Sequence, residues 1–89
     1  MKKKVEVIHH ITGQNNFGGC AVLATHYDGD SFVRITTEPC SVDDQYSKKI
    51  ANAALRSNYE RGQFIRIPIM FRRDVTHREV RDLVIGMFV

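Results

Sequence analysis

The sequence predicts an α+β domain in which a mainly antiparallel sheet of about four strands carries two helices, in the order β-β-β-α-β-α. Three observations predict this class. Strand-type alternation of apolar and polar residues fills much of residues 4–38, and an Asp-Gly pair interrupts it as a hairpin turn would. Helix-type apolar stripes follow in residues 42–61 and 76–87. The 89 residues leave no room for a second core, so a single domain is expected over residues 1–89.

The first three strands are predicted from alternation and from the turn residues between them. Residues 4–11 alternate, and the glycine-rich segment 13–19 separates them from a second strand at residues 20–27. A third strand follows at residues 31–38, beyond the Asp28-Gly29 pair, which suits the positive φ angles of a type I′ turn. A two-residue loop there predicts the cross-strand pairs Ala24–Val33 and Val22–Ile35.

The first helix is predicted from its end signals as well as its stripe. Ser41 is an N-cap residue, and Asp43 and Asp44 suit the positive end of the helix dipole. The helix should continue to about Arg61, because Gly62 can adopt the left-handed conformation that ends a helix.

A fourth strand and a second helix complete the predicted chain order. The strand covers Phe64–Phe71, and Pro68 predicts an edge position because proline cannot donate a ladder hydrogen bond. The helix should begin at Thr76, which forms a capping box with Glu79.

The core is predicted from the periodic stripes. If the sheet and both helices bury one shared face, the stripes come together there. The expected core residues are Val22, Ala24, Val33, Ile35, Ile50, Ala54, Ile67, Ile69, Val80, Leu83 and Val84.

Apolar residues remain after this core is assigned. Leu55 and Tyr59 form a second ridge on the first helix, and the chain ends on Met87, Phe88 and Val89. A symmetric homodimer would cover such a surplus, so these residues, Val89 excepted, are the candidate dimer contacts. The alternative is a monomer that uses the leftover apolar surface for a foreign partner.

No arrangement typical of catalysis or of cofactor binding occurs in the sequence. The loop Gly13 to Gly19 lacks the lysine of a phosphate loop and precedes a strand, where a phosphate loop would open a helix. The histidines and cysteines lack the close pairs of a structural zinc site. We therefore expect no catalytic residue, no metal site and no cofactor.

The cysteines and the N-terminus indicate the compartment. Cys20 and Cys40 are too few for a disulfide framework, so free thiols in a reducing compartment are expected. The N-terminal lysines are followed by a segment that Glu6, His9 and His10 make too polar for a signal peptide. No stretch is long and apolar enough for a membrane span. A cytoplasmic protein is expected.

Charge is the clearest departure from an average composition. Residues 5–44 contain one arginine against six acids, whereas residues 45–81 contain nine basic side chains against three acids. A basic face on the first helix, fourth strand and second helix is the predicted contact surface for an acidic partner. Its candidate residues are Lys48, Lys49, Arg56, Arg61, Arg66, Arg72, Arg73, Arg78 and Arg81.

Three functions are compatible with such a face. The leading hypothesis is a small non-enzymatic regulatory binding protein that acts by surface contact with a macromolecular partner, such as an inhibitor or accessory protein of the phage or mobile-element type. The second is nucleic-acid binding through the same face. The third is a small metal-independent ribonuclease, in which His77 would act beside the arginines that surround it in sequence.

Overall fold

The computed structural model describes residues 3–69 and 75–87. It confirms an α+β fold with one four-stranded antiparallel sheet and two helices in the order β-β-β-α-β-α. A single turn of 3₁₀ helix at Gln14–Asn16 joins the first two strands. The elements are β1 Lys4–Thr12, β2 Phe17–Tyr27, β3 Phe32–Gln45, α1 Lys48–Glu60, β4 Ile65–Pro68 and α2 His77–Met87.

The sheet is a simple meander in which each strand pairs with the next in sequence. The β2–β3 loop is longer than the predicted two-residue turn, and Ala24 lies opposite Ile35 instead of Val33. Likewise Val22 lies opposite Thr37 and not Ile35. The register is therefore displaced by two residues, because Asp30 and Ser31 belong to the loop as well. A displacement of two keeps every side chain on its predicted face, since side chains alternate with period two.

The two helices pack on opposite faces of the sheet, which corrects the prediction of one shared buried face. α2 packs on the side that carries Val22 and Ala24, which we name the α2 face. α1 packs on the side that carries Ala21 and Leu23, which we name the α1 face. Residues 21–26 of β2 are all buried, because the strand is central and covered on both sides. This arrangement accounts for Leu23, whose side chain a single covered face would leave exposed.

β3 is longer and α1 begins later than the sequence predicted. Ser41 is not the helix cap, because β3 continues to Gln45, which lies opposite Phe17 beyond an irregularity in the ladder. The cap is Ser47, whose hydroxyl accepts a hydrogen bond from the Ile50 N–H at 3.3 Å. At the other end Gly62 has φ of 76°, as predicted for a residue that terminates a helix.

The last strand and helix largely follow their local signals. β4 covers Ile65–Pro68 and is an edge strand, as Pro68 predicted. The capping box of α2 is present, since the Glu79 N–H donates to the Thr76 hydroxyl at 3.2 Å and the Thr76 N–H donates to the Glu79 carboxylate at 3.3 Å. The predicted strand residue Phe71 lies outside the described residues.

The predicted core is mostly confirmed, with one clear error on α1. Ile50 is 72% exposed and belongs to neither core cluster. Leu55, which was predicted to be a dimer contact, is fully buried against β2 of its own chain. Of the other predicted core residues, Ala54, Ile67, Ile69 and Leu83 are half-buried and the rest are buried. Core residues that the prediction did not include are Val5, Val7, Ala21, Leu23, Ala51 and Val75.

Candidate arginine–aromatic binding face

A group of arginines and aromatic rings lies on the α1 face, where β2, β3 and β4 run side by side. Arg34 of β3 and Arg66 of β4 are directly opposite each other in the antiparallel ladder. Directly opposite residues point to the same side of a sheet, so both guanidinium groups belong to one surface. Three rings contact this pair, and we call the group the arginine–aromatic cluster: Tyr27, Phe32, Arg34, Phe64 and Arg66.

Arg34 lies at the centre of the cluster. Its Cζ is 4.9 Å from the centre of the Phe32 ring, 5.0 Å from that of Tyr27 and 5.7 Å from that of Phe64. These distances fall within the range of cation–π contacts. The Arg34 side chain is 22% exposed, and its Nη1 is 3.3 Å from a carboxylate oxygen of Asp30. Arg34 is thus held in place by ring contacts and by one acid.

Arg66 shares two of these rings. Its Cζ is 5.3 Å from the centre of the Phe32 ring and 5.6 Å from that of Phe64. Within residues 3–69 and 75–87, no carboxylate forms an ion pair with Arg66, and the residue is exposed. Of the two adjacent guanidinium groups, that of Arg34 is paired with the Asp30 carboxylate, and that of Arg66 has no paired carboxylate among the described residues.

The rings are fixed by contacts with the end of α1. Phe64 stacks on Tyr59 with ring centres 5.1 Å apart and an interplanar angle of 30°. The Tyr59 hydroxyl also lies 2.8 Å from the Thr25 hydroxyl on β2. The last turn of α1 thereby joins the Phe64 ring to β2.

Tyr27 is neutral under ordinary conditions. The neighbouring Tyr59 hydroxyl, together with burial, raises the pKa of Tyr27 above its usual value of 10.0. A phenolate would place a negative charge beside Arg34 and compete with any anion that approaches the guanidinium groups. A phenol with the usual pKa is already protonated near neutral pH, and the raised pKa extends the neutral form of Tyr27 to more alkaline pH.

The basic residues predicted from the sequence do not form one surface. Lys48, Lys49 and Arg56 lie on α1 and Arg61 caps its C-terminal end, on the same side of the sheet as Arg66. The second helix, α2, lies with its arginines on the other side. The arginines of α2 are Arg78 and Arg81, both exposed. Arg72 and Arg73 lie outside the described residues.

Two of the α1 arginines have partners within the chain. Arg56 pairs with the Glu6 carboxylate at 3.0 and 3.5 Å. Arg61 donates to the Asn58 side-chain oxygen at 2.8 Å and to the Ser57 carbonyl at 3.3 Å. Lys48 and Lys49 are exposed.

Sequence reasoning missed Arg34. It lies in the acidic first half of the chain, so a count of charge along the sequence hides it. The available signal was the pairing of two strands that both alternate aromatic and arginine residues, Phe32-Val33-Arg34 and Phe64-Ile65-Arg66. Their juxtaposition on one face depends on the β3–β4 register, which local pattern does not fix.

A second group of polar side chains lies near the start of α1. His10 Nδ1 is 2.7 Å from the Tyr46 hydroxyl, and the two rings meet edge to face with centres 5.7 Å apart. Burial and the Lys48 ammonium lower the pKa of His10 below its usual value of 6.5. Burial raises the pKa of Tyr46, and the thiols of Cys20 and Cys40 act in the same direction. Both groups are neutral at pH 7, which suits a structural hydrogen bond.

Tyr46 also forms part of the wall of a groove between the end of β3 and α1. The groove has a volume of about 410 Å³ and is lined in part by Glu38, Cys40, Asp44 and Ile50. Cys20 and Cys40 are free thiols, as predicted. The lining is acidic and apolar, so this groove differs in charge from the arginine–aromatic cluster.

The described residues contain neither a cluster of metal ligands nor a helix that could span a membrane. Residues 3–69 and 75–87 contain no group of three or more histidine, cysteine or acidic side chains arranged to hold a metal ion. None of the helices described here has the length and apolar character needed to cross a membrane.

Some residues of the predicted ribonuclease site and of the predicted dimer interface lie outside the described residues. His77 is exposed at the first position of α2, but the ribonuclease hypothesis also needs Arg72 and Arg73, so it stays a prediction. Met87 is 42% exposed and Phe88 lies outside the described residues. Tyr59 is half-buried within its own chain. The homodimer therefore also stays a prediction, and Leu55 is no longer available for its interface.

No protein-family model, no curated protein and no solved structure matches this chain.

Proposed function

We propose that this chain is a non-enzymatic binding module that attaches to an anionic macromolecular partner through the arginine–aromatic cluster. The observation that carries the proposal is the direct cross-strand pairing of Arg34 with Arg66, for which Asp30 is the one paired acid in the described chain. Its regulatory effect would come from occupying the surface of that partner.

The physical argument starts from the cost of the arginine pair. Like charges directly opposite each other on a sheet destabilise it, by a few tenths to about 1 kcal/mol. Ring contacts of roughly 0.5–1 kcal/mol each offset this at exposed sites, but they leave the positive charge in place. Asp30 offsets the charge of Arg34, whereas Arg66 is surrounded by aromatic rings and has no paired acid among the described residues. An anionic partner supplies the missing negative charge.

Arg61 extends the positive surface beyond the cluster, because it stands at the end of the helix that leads to Phe64. Lys48 and Lys49 add exposed positive charge on the same side of the sheet, at the other end of α1. Cations gathered on one side of a molecule raise the rate of association with a polyanion, and the effect weakens as salt rises. A predominantly electrostatic contact with strong salt dependence is therefore expected.

Salt-dependent retention on heparin tests the proposal, with two double variants that remove the same charge. Arg34→Gln with Arg66→Gln changes the cluster, whereas Arg78→Gln with Arg81→Gln changes the opposite side of the sheet. We expect the first pair to lower the eluting salt concentration markedly and to reduce the salt slope by about two. We expect the second pair to have little effect.

Equal losses in the two double variants would contradict the proposal, because they would trace retention to net charge and not to the cluster. So would failure of the unchanged protein to bind heparin at low salt. Circular dichroism of each variant establishes that it is folded before its retention is compared.

A further inference from the structure

The partner class can be deduced from the rings of the arginine–aromatic cluster, and this step rests on the function proposed above. Charge alone needs no aromatic residues, because lysines and arginines on a helix surface attract any polyanion. Here three rings lie beside the two arginines on one sheet surface, and each ring is half-buried, so part of it is open to solvent. We propose that the cluster binds single-stranded nucleic acid, with phosphates on the guanidinium groups and bases stacked on the rings and guanidinium planes.

The chemistry of a single strand fits both halves of the cluster. A guanidinium group presents several N–H donors in a fork that matches phosphate oxygens. Unpaired bases stack on aromatic side chains and on arginine planes, and every base has a face suited to this. Arg34 and Arg66 supply the donors. Because both arginines lie over Phe32 and Phe64, and Phe64 also stacks on Tyr59, the stacking surfaces are the guanidinium planes together with the parts of the rings that are open to solvent. The neutral Tyr27 adds a third ring without a competing charge.

Double-stranded nucleic acid fits the cluster less well than a single strand does. The bases of a double helix are stacked on one another, so a duplex offers phosphates to the arginines but nothing to the rings. Reading a groove requires an element that projects into it, such as a helix or a two-stranded ribbon. The cluster instead lies on the surface of a sheet, beside the last turn of α1. The acidic side chains of a protein partner would engage the arginines alone, whereas each nucleotide brings both a phosphate for an arginine and a base for a ring.

The dimensions of the cluster set the length of strand that it can hold. The cluster extends over three neighbouring strands, β2 to β4, which span about 10 Å at roughly 4.8 Å between strands. Bases that stack on the rings do not stack on one another, so the number of rings sets the number of bases held, and the cluster accommodates up to about three nucleotides. Affinity should therefore rise steeply up to about three or four nucleotides and then more slowly, as phosphates beyond the cluster reach Arg61 at the end of α1.

The test compares fluorescently labelled oligothymidylate with an abasic oligomer of equal length, which carries the same phosphates and no bases. A duplex, heparin and an oligoglutamate peptide complete the set of probes, all measured by anisotropy at one salt concentration. The intact protein should bind oligothymidylate at least about five-fold more tightly than the abasic strand, as the stacking of one base would give. Oligouridylate should show the same preference.

Variants separate stacking from charge. Phe64→Leu should lower affinity for oligothymidylate and leave affinity for the abasic strand and heparin unchanged. Arg66→Gln should lower affinity for all three, and Arg81→Gln on the opposite side should lower none. Thermal unfolding establishes that Phe64→Leu is folded; Phe32→Leu provides a second ring variant if it is not.

Three results would overturn the inference, and they are distinguishable from one another. Equal binding of oligothymidylate, the abasic strand and heparin would show that the cluster does not use bases, while the polyanion-binding function stands. Preference for an acidic peptide over every nucleic acid would assign the surface to a protein partner instead. Absence of binding to any polyanion, heparin included, would refute the proposed function itself.

Discussion

At the scale of single residues, His10 is the group whose protonation is most clearly coupled to folding. The sheet places it on the α1 face, where Tyr46 packs against its ring and the hydroxyl contacts Nδ1 at 2.7 Å. Burial first, and then the Lys48 ammonium, disfavour the charged imidazole and lower its pKa. The folded protein therefore holds the neutral ring more strongly than the unfolded chain does.

The sign of the resulting pH dependence follows from linkage. Because the pKa of His10 is lowered on folding, its stabilising effect is complete above the unfolded value of 6.5 and is lost as pH falls towards the folded value. We expect the free energy of unfolding, measured by urea denaturation, to decrease less between pH 7.5 and pH 5 in His10→Asn than in the unchanged protein. An identical decrease in both proteins would contradict this account. The comparison isolates His10, because His9, His26 and His77 are present in both.

Arg34 shows how far a residue's role can be predicted from sequence. Its position in a strand was predicted, since residues 31–38 have the composition of one. Its partnership with Arg66 was not, because the two are separated by more than thirty residues and meet only through the β3–β4 ladder. The candidate residues predicted from the sequence therefore include Arg66 but not Arg34.

At the scale of elements, the rotation of α1 about its axis decides which apolar side chains are buried. Ala51 and Leu55 face the sheet and are buried, whereas Ile50 points away from it and is 72% exposed. Both stripes have helical spacing, so periodicity alone cannot choose between them. The choice follows from Ala21 and Leu23, which supply the complementary apolar surface on β2.

The two stripes of α1 are distinguished by truncating one residue from each. Leu55→Ala should destabilise the fold by about 2–5 kcal/mol, because it opens a cavity at a fully buried site. Ile50→Ala, five positions earlier in the same helix, should change stability by no more than about 0.5 kcal/mol. Urea or thermal unfolding of the two variants measures the difference. Similar losses from both would mean that α1 is rotated from the orientation described.

The start of α1 shows why element boundaries are harder to predict than element types. Ser41 and Ser47 are both suitable caps, and Asp43 and Asp44 suit the first turn of a helix. The outcome is decided by long-range pairing, since Gln45 lies opposite Phe17 and the Tyr46 N–H donates to the Asn16 carbonyl at 2.6 Å. The strand therefore extends past the first cap signal, and Ser47 takes its place.

At the scale of the whole molecule, the helices lie on opposite faces of the sheet. This separates the two core clusters, and it also separates the arginines of α2 from the basic residues of α1 and β4. The order of elements was predictable, because each turn, cap and alternation is a local signal. The arrangement of the helices on the two faces of the sheet was not predictable from such signals. It depends on both faces of β2 being apolar and on each helix packing against a different one. The predicted α1–β4–α2 face is divided as a result, and Arg78 and Arg81 lie away from the arginine–aromatic cluster.

The central claim is that an anionic partner binds at the β2–β4 end of the α1 face, and chemical-shift mapping tests it most directly. Titration of ¹⁵N-labelled protein with a six-nucleotide oligothymidylate should shift the backbone amides of Arg34, Phe64 and Arg66, together with those of the last turn of α1. The amides of α2, including Arg78 and Arg81, should remain unchanged because the sheet lies between them and the ligand. Shifts confined to α2, or spread evenly over both faces, would contradict the claim.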